Sequence, residues 1–203
     1  MQKIDFKNEL KELYQPSAKE VVQINVPTMN YLMADGEGDP ATTKEFGEIV
    51  EVLFSLSYVL KFMAKKGALE IDYSVMPLEG LWWSDDMSAF STGDKSKWKW
   101  TMMIMQPKFI TEEMVEEAIA EVKINKNPAG LSKVRFEPLS EGIAAQVMHI
   151  GPFTEEGLNV ERIHRFIDNC GYKRVGKHHE IYLSDIRKTA PNKWKTVIRQ
   201  PIQ

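Results

Sequence analysis

The stretch His178–Asp185, HHEIYLSD, places one acidic residue inside what otherwise has the pattern of a buried β-strand. Side chains alternate between the two faces of a strand, so Glu180 and Tyr182 share one face while Ile181 and Leu183 share the other. A buried carboxylate without a partner costs free energy or takes up a proton, so a carboxylate and a phenol on one buried face indicate a functional site. The alternative is an edge strand whose Glu180 faces water, and this stretch alone favours neither.

The composition of the chain is that of an ordinary globular protein. Its 203 residues are 43% hydrophobic and 27% charged, with a formal net charge of -3. The basic residues are scattered, so we expect no direct nucleic-acid binding. No apolar run approaches the ~20 residues of a membrane span, and the N terminus is too polar and acidic for a signal peptide. We therefore expect a cytoplasmic protein that does not contact a membrane.

The sequence lacks the motifs of several common enzyme classes. It contains no Ser-His-Asp spacing, phosphate-binding loop or HExxH motif. Its single cysteine, Cys170, excludes an intrachain disulfide and a cysteine-based metal site. Solvated or capping roles are expected for His164, His178 and His179, so the sequence predicts neither a metal nor a cofactor.

Hydrophobic periodicity predicts two similar halves, at about residues 20–107 and 134–203, each with the order strand, turn, helix, strand, strand. A capping box that begins at Thr42 is expected to start the long helix of the first half. Thr154 is expected to cap the helix of the second half. A further helix at about 111–124 is expected to connect the halves. The sequence therefore predicts one domain made of two pseudo-symmetric halves.

The two halves share a short string of residues. LWWSD at Leu81–Asp85 aligns with IYLSD at Ile181–Asp185, and Gly80 then occupies the position of Glu180. Equivalent halves commonly meet around a pseudo-two-fold axis and form a pocket lined by corresponding strands. Only one half would bring a carboxylate to such a pocket.

Strand alternation also predicts which face of its strand each aromatic residue of these strings occupies. Trp82 and Trp83 must lie on opposite faces of their strand. We therefore expect Trp82 and Tyr182 to face the pocket, while Trp83 and Leu183 pack beneath the helices.

An ordered set of short strings gives the chain a resemblance to a known family. HIGPF at His149–Phe153 precedes a helix, and Gly171-Tyr172 follows it. EIYLSD at Glu180–Asp185 and a closing strand that ends in Pro201-Ile202 come next. On these strings the chain resembles the GyrI-like small-molecule-binding family over most of its length, and best over residues 144–203.

The resemblance implies an α+β fold built from a duplicated strand-helix-strand-strand module. Helices would lie on one side of an antiparallel sheet and a ligand cleft on the other, with Glu180 as the central acidic residue of the family. Members include effector domains of multidrug-responsive transcription regulators, a gyrase-inhibitory protein, and stand-alone proteins, some of which hydrolyse cyclopropane-bearing DNA-alkylating toxins. This chain differs by lacking a helix-turn-helix segment and by carrying Phe153 where a tyrosine is common.

Two functions from different classes are consistent with these features. In the favoured one, the chain is a stand-alone binding protein for planar hydrophobic or cationic xenobiotics, with Glu180 as counter-charge and a role in toxin or drug resistance. In the alternative, it is a hydrolase that opens cyclopropane-bearing alkylators, with Glu180 acting on water and Tyr182 donating to the developing oxyanion. Both need aromatic walls, for which the candidates are Trp82, Trp100, Tyr58, Phe153 and Trp194.

Overall fold

The computed structural model describes residues 2–85 and 94–203, which form two compact units. The first unit contains Met29–Leu78 and Trp82–Leu139, together with the N-terminal residues up to Phe6. The second contains Lys7–Thr28, Glu79–Leu81 and Ser140–Gln203. Both units combine helices with antiparallel strands, so the fold is α+β, as the sequence predicted.

The described residues contain ten strands and five α-helices. The strands are β1 (Gln2–Ile4), β2 (Val22–Val26), β3 (Met29–Glu37), β4 (Ile71–Tyr73), β5 (Leu78–Trp83), β6 (Lys99–Gln106), β7 (Arg135–Leu139), β8 (Gly142–Ile150), β9 (His178–Tyr182) and β10 (Lys195–Pro201). The helices are α1 (Phe6–Glu9), α2 (Lys11–Tyr14), α3 (Lys44–Lys66), α4 (Glu112–Asn125) and α5 (Gly157–Asn169). None of the helices in this part of the chain is long and apolar enough to span a membrane.

In the first unit the strand order is β5-β6-β3-β7. β3 pairs antiparallel with both of its neighbours, β6 and β7. Helix α3 packs on β3 and β6 because it carries an apolar stripe at helical spacing. The buried residues of that stripe include Ile49, Val52, Leu53, Leu56 and Leu60.

In the second unit the strand order is β9-β10-β8-β2. β10 pairs antiparallel with both β8 and β9. Helix α5 packs on β8 and β10. The core between them is entirely apolar and consists of Ala145, Val147, Ile163, Ile167, Ile198 and Ile202.

The strand orders of the two units correspond, with one strand of each exchanged along the chain. β5-β6-β3-β7 matches β9-β10-β8-β2 in order. β2 precedes β3 in the sequence but pairs with β8, and β7 precedes β8 but pairs with β3. β2 therefore belongs to the second compact unit and β7 to the first. That the halves at 20–107 and 134–203 superimpose stays a prediction.

The predicted helix starts are only partly correct. The connecting helix expected at about residues 111–124 is α4, and Thr111 caps it, since its hydroxyl accepts a hydrogen bond from the Met114 amide at 3.3 Å. Helix α3 begins after Thr43, whose side chain makes no capping bond. Helix α5 begins at Gly157, because Phe153–Glu155 first forms a 3₁₀ turn. Thr154 therefore lies before the helix rather than capping it.

A glycine in β3 makes room for a tryptophan in β6. Gly36 lies directly opposite Trp100 in the antiparallel pairing. The indole of Trp100 is fully buried, and its NH donates to the Gly38 carbonyl at 3.3 Å. A Cβ on Gly36 would lie 2.1 Å from the indole ring. Any side chain at this position must therefore displace either the indole or the β3 backbone.

We expect Gly36→Ala to lower the free energy of unfolding by about 1–3 kcal/mol, the usual cost of overpacking. Gly47→Ala is the matched control, because Gly47 lies within α3 and its Cβ would meet nothing within 4 Å. This control should raise stability by about 0.5–1 kcal/mol, since alanine favours helix more than glycine does. Urea unfolding of both variants measures the difference, and equal effects would contradict the packing of Trp100.

Candidate functional site

Strand β9 places Glu180 and Tyr182 on the face covered by α5. In the pairing with β10, Glu180 lies opposite Ile198 and Tyr182 opposite Thr196. Ile198 packs with Ile163 of α5 in the apolar core, so paired residues at these positions share that face. Glu180 and Tyr182 do share a face, as predicted. The expectation that Tyr182 faces away from the helices is wrong, because alternation shows which residues share a face but not which face a helix covers.

The carboxylate of Glu180 is held between two donors of its own strand. His178 Nε2 lies 3.0 Å from Glu180 Oε1, and the Tyr182 hydroxyl donates to Glu180 Oε2 at 2.8 Å. The Glu180 side chain is 16% exposed. Burial alone would raise the pKa of Glu180, but the hydrogen bonds from His178 and Tyr182 outweigh it, and the pKa is lowered. Glu180 is therefore ionised at neutral pH.

A second carboxyl group, that of Glu156, lies near Glu180 at the start of α5. Glu156 is 7% exposed. Burial, and then the negative charge of Glu180, raise the pKa of Glu156 to about 9. The Thr196 hydroxyl opposes this shift, although the two groups do not meet hydrogen-bond geometry. Two neighbouring carboxyls cannot easily both ionise, so one proton resides on Glu156 at neutral pH.

Aromatic rings stand beside this pair of carboxyl groups. The ring of Phe153 lies 5.7 Å from that of Tyr182 and 4.9 Å from that of Trp194, measured between centroids. The indole NH of Trp194 donates to the Thr189 carbonyl at 2.8 Å, which fixes the ring. Phe153 is 39% exposed. The second unit therefore offers a partly open aromatic surface next to an ionised carboxylate.

The other three predicted ligand residues belong to the first unit. The ring of Trp82 stacks on Phe46 of α3 at 6.4 Å, and Trp100 meets Phe46 edge-on at 5.2 Å. Both indoles are buried, and Tyr58 is half-exposed on α3. The prediction that Trp82 faces away from the helices is therefore wrong, for the same reason as for Tyr182. Contact of Trp82, Trp100 or Tyr58 with a ligand stays a prediction.

Two surface hollows of the first unit lie away from these residues. One is lined by Ser84, Asp85 and Trp98 among others, and a second by Thr111 and Phe136. Neither includes Glu180 or any predicted ligand residue.

Sequence reasoning missed three residues of the site. Glu156 and Thr196 are separated from Glu180 in the chain and meet it only through the packing of α5 and β10. His178 was expected to be solvated or capping, but it contacts the carboxylate two residues later. The i, i+2 spacing of His178 and Glu180 was the available indication, since alternate residues of a strand share a face.

The opposite face of β9 carries a buried network of charges. His179 contacts Glu79 through Nε2 and Glu141 through Nδ1, each at 2.9 Å. Arg199 donates to Glu141 at 3.0 Å, and the Tyr14 hydroxyl donates to Glu79 at 2.8 Å. All five residues lie in the second unit and are almost fully buried. Two positive and two negative groups therefore compensate one another.

Protonation of His179 follows from its two carboxylate partners. Burial would lower the pKa of His179, but Glu141 and Glu79 outweigh it and raise the pKa to about 9. Burial would likewise raise the pKa of Glu141, but His179 and Arg199 lower it to about 2. The ring of His179 is therefore an imidazolium that donates from both nitrogens.

We expect this network to make stability fall as pH rises. Because the folded pKa of His179 lies above its ordinary 6.5, its contribution is complete below pH 6.5 and is lost as pH rises through about 9. Glu156, whose pKa is also raised to about 9, would add a loss over the same range, so the measurement uses the Glu156→Gln variant. Urea unfolding of this variant between these limits should show a loss of about 1–3 kcal/mol. Adding His164→Gln to this variant is the control and should leave the loss unchanged, because burial lowers the pKa of His164 and removes it from this range. A flat profile would show that His179 is not an imidazolium.

Comparison with known proteins gives these features a family context. The chain matches the GyrI-like small molecule binding domain over residues 19–203. Among solved structures, an uncharacterized conserved protein from Listeria innocua is 41% identical, with a TM-score of 0.91 over 98% of this chain and 100% of that one. A hydrolase from Listeria innocua is 40% identical, with a TM-score of 0.89 over 100% of both chains.

A further hydrolase structure from Listeria innocua is 39% identical, with a TM-score of 0.86 over 98% of this chain and 100% of that one. No curated protein matches the chain. Because the family match covers nearly the whole sequence, the protein belongs to the GyrI-like small-molecule-binding family.

Proposed function

We propose that the protein is a hydrolase that adds water to small hydrophobic molecules carrying a strained, electrophilic ring. The observation that carries this proposal is an ionised, mostly buried Glu180, held by His178 and Tyr182 beside the rings of Phe153 and Trp194. A carboxylate fixed in this way suits a general base for water. Two relatives at 39% and 40% identity are described as hydrolases, which supports the same reaction class.

The proposed substrates are compounds in which a cyclopropane is conjugated to a ketone, as in cyclopropane-bearing DNA alkylators. Their rings are flat and apolar, so they can stack on Phe153 and Trp194. Glu180 takes a proton from water, and the oxygen attacks the methylene carbon of the cyclopropane. The strained carbon–carbon bond breaks, and its electron pair moves onto the ketone oxygen. Detoxification follows, because the electrophile that alkylates DNA is consumed.

Tyr182 and His178 have positioning roles in this scheme. The Tyr182 hydroxyl donates to Glu180 Oε2, so it orients the carboxylate, where the sequence predicted a donor to the oxyanion. His178 holds the other oxygen of the same carboxylate. Both contacts favour the charged form of Glu180, which is the form that accepts a proton.

Binding without turnover is the second candidate function. An ionised carboxylate beside exposed aromatic rings also suits a planar cation, which would gain both stacking and a counter-charge. In that case the protein would serve toxin or drug resistance by sequestering xenobiotics. A cytoplasmic location and the lack of direct nucleic-acid binding stay predictions in both cases.

The decisive substitution is Glu180→Gln, which keeps the size of the side chain and removes the charge. For a hydrolase, turnover of a cyclopropane-containing alkylator should fall by about 100-fold or more with little change in affinity. For a binding protein, affinity for a planar cationic dye should fall by about 1–3 kcal/mol while a neutral analogue is little affected. Mass analysis distinguishes the two, because only hydrolysis yields a compound heavier by one water.

Glu161→Gln is the matched control, since Glu161 is an exposed carboxylate on α5. It should behave as the wild type in both assays. If Glu180→Gln also leaves every rate and affinity unchanged, the site does not lie at Glu180.

Ligand binding at this surface should also change the fluorescence of one particular tryptophan. Trp194 stands beside Phe153 in the second unit, whereas Trp82 packs on Phe46 in the first. Quenching by a bound planar dye should therefore be largely lost in Trp194→Phe and retained in Trp82→Phe. Quenching that is lost in Trp82→Phe and retained in Trp194→Phe would show that the ligand binds at the aromatic residues of the first unit, and it would contradict the proposed site.

A further inference from the structure

Glu156 has a buried carboxyl oxygen with nothing to bind. The side chain is 7% exposed, and Glu156 Oε1 has no hydrogen-bond partner within residues 2–85 and 94–203. Thr196 Oγ1 is also buried and without a partner in the same part of the chain. Buried polar groups in proteins are nearly always hydrogen-bonded, so two orphans in one place need an explanation.

Capping of α5 does not provide that explanation. Glu156 occupies the residue before the first turn of α5, but its side chain accepts no backbone hydrogen bond there. No ion pair involving Glu156 is present in the described residues, and the charged group that acts on it is the carboxylate of Glu180. A structural glutamate would be placed where a cation or an amide satisfies it. Glu156 instead stands next to a like charge.

Thr196 shows which surface the two orphans face. It lies directly opposite Tyr182 in the pairing of β10 with β9, on the same face as Glu180. The Tyr182 ring in turn touches Phe153, which precedes Glu156 by three residues. The unpartnered atoms therefore border the surface formed by Glu180, Tyr182 and Phe153. A polar atom of a bound substrate can satisfy them.

We propose that Glu156 is a catalytic proton donor to the substrate, with the Thr196 hydroxyl beside it as a second group that the substrate can bind. This inference rests on the hydrolase proposed above and names a second carboxyl of the same site. The burial that leaves Glu156 without a partner also keeps its proton on at neutral pH, since its pKa is raised to about 9. Glu180 then acts as the general base and Glu156 as the general acid. Two carboxyl groups in different environments commonly have such different roles.

The proton balance of the reaction closes with these two groups. Glu180 takes one proton from the attacking water, and the water oxygen bonds to the cyclopropane carbon. The electron pair of the broken carbon–carbon bond reaches the ketone oxygen, which takes the proton of Glu156 and becomes a hydroxyl. The product is the substrate plus one water. Transfer of the proton from Glu180 to Glu156 restores the starting state, so no other reactant is needed.

The protonation of Glu156 can be measured without any substrate. Infrared spectra of the wild type near pH 7 should show the carbonyl band of a protonated carboxylic acid. The band should be absent in Glu156→Gln and present in Glu155→Gln, whose carboxylate is exposed on the neighbouring residue. A wild-type spectrum without the band would overturn the proposal, because an ionised Glu156 has no proton to give.

The kinetic experiment uses two cyclopropane-conjugated ketones as substrates. Their products differ in the acidity of the hydroxyl that forms from the ketone oxygen. Glu156→Gln should lower turnover by about 100-fold or more on the less acidic product, the usual effect of losing a general acid. The loss should be much smaller on the more acidic product, which needs less help from a proton. A merely structural role would lower both rates equally, and that result would overturn the proposal.

The failure of this inference is distinguishable from the failure of the hydrolase proposal. A wild type that consumes neither ketone would overturn both. A wild type that is active while Glu156→Gln keeps its full rate would overturn the proton donor alone and leave Glu180 as the base. Glu155→Gln should be as active as the wild type. This result would show that removing a carboxyl group near α5 is not enough to lower the turnover, so the loss in Glu156→Gln is specific to Glu156.

Discussion

A buried imidazolium between two carboxylates fixes the central strand of the second unit. His179 binds Glu79 and Glu141, and Arg199, its partner across the pairing of β9 with β10, binds Glu141 as well. A slip of one residue would move His179 to the other face and leave its partners as unpaired buried charges, which is a severe penalty. The register of β9 is therefore strongly specified. The position of Glu180 depends on this register, because Glu180 is the next residue along the strand.

The charged groups on the two faces of β9 are arranged differently. On one face, two positive and two negative groups are matched, so every charge is compensated and the network is structural. On the other face, Glu156 and Glu180 are two carboxyl groups in poorly solvated surroundings. They differ by one proton, because Glu156 is protonated and Glu180 is ionised. Matched charges resist change over a wide pH range. An unmatched pair that shares a proton is suited to moving one, which is why the chemistry is assigned to that face.

Strand periodicity predicted that Glu180 and Tyr182 lie together, and the repeat of LWWSD in IYLSD predicted that Trp82 and Tyr182 are equivalent. Both residues do touch an aromatic ring near the start of a helix, Phe46 for Trp82 and Phe153 for Tyr182. The face covered by α5 could not be predicted, because a helix can pack on either side of a strand with the same alternation. Nor could Glu156 be predicted, since its burial arises only when α5 docks on β10. The exchange of β2 and β7 is likewise a matter of tertiary pairing, which local patterns do not encode.

A difference between the two aromatic clusters supports placing the proposed chemistry in the second unit. In the first unit the ring opposite Phe46 is the large indole of Trp82, which also meets Trp98 at 5.8 Å and is only 7% exposed. In the second unit the ring that contacts Phe153 is the smaller one of Tyr182, and Phe153 is 39% exposed. The larger side chain closes one aromatic cluster into core, and the smaller one leaves the other accessible to a ligand. The two sequence strings also differ in the residue that precedes them, which is Gly80 in the first and Glu180 in the second, so only the accessible cluster has a carboxylate at this position.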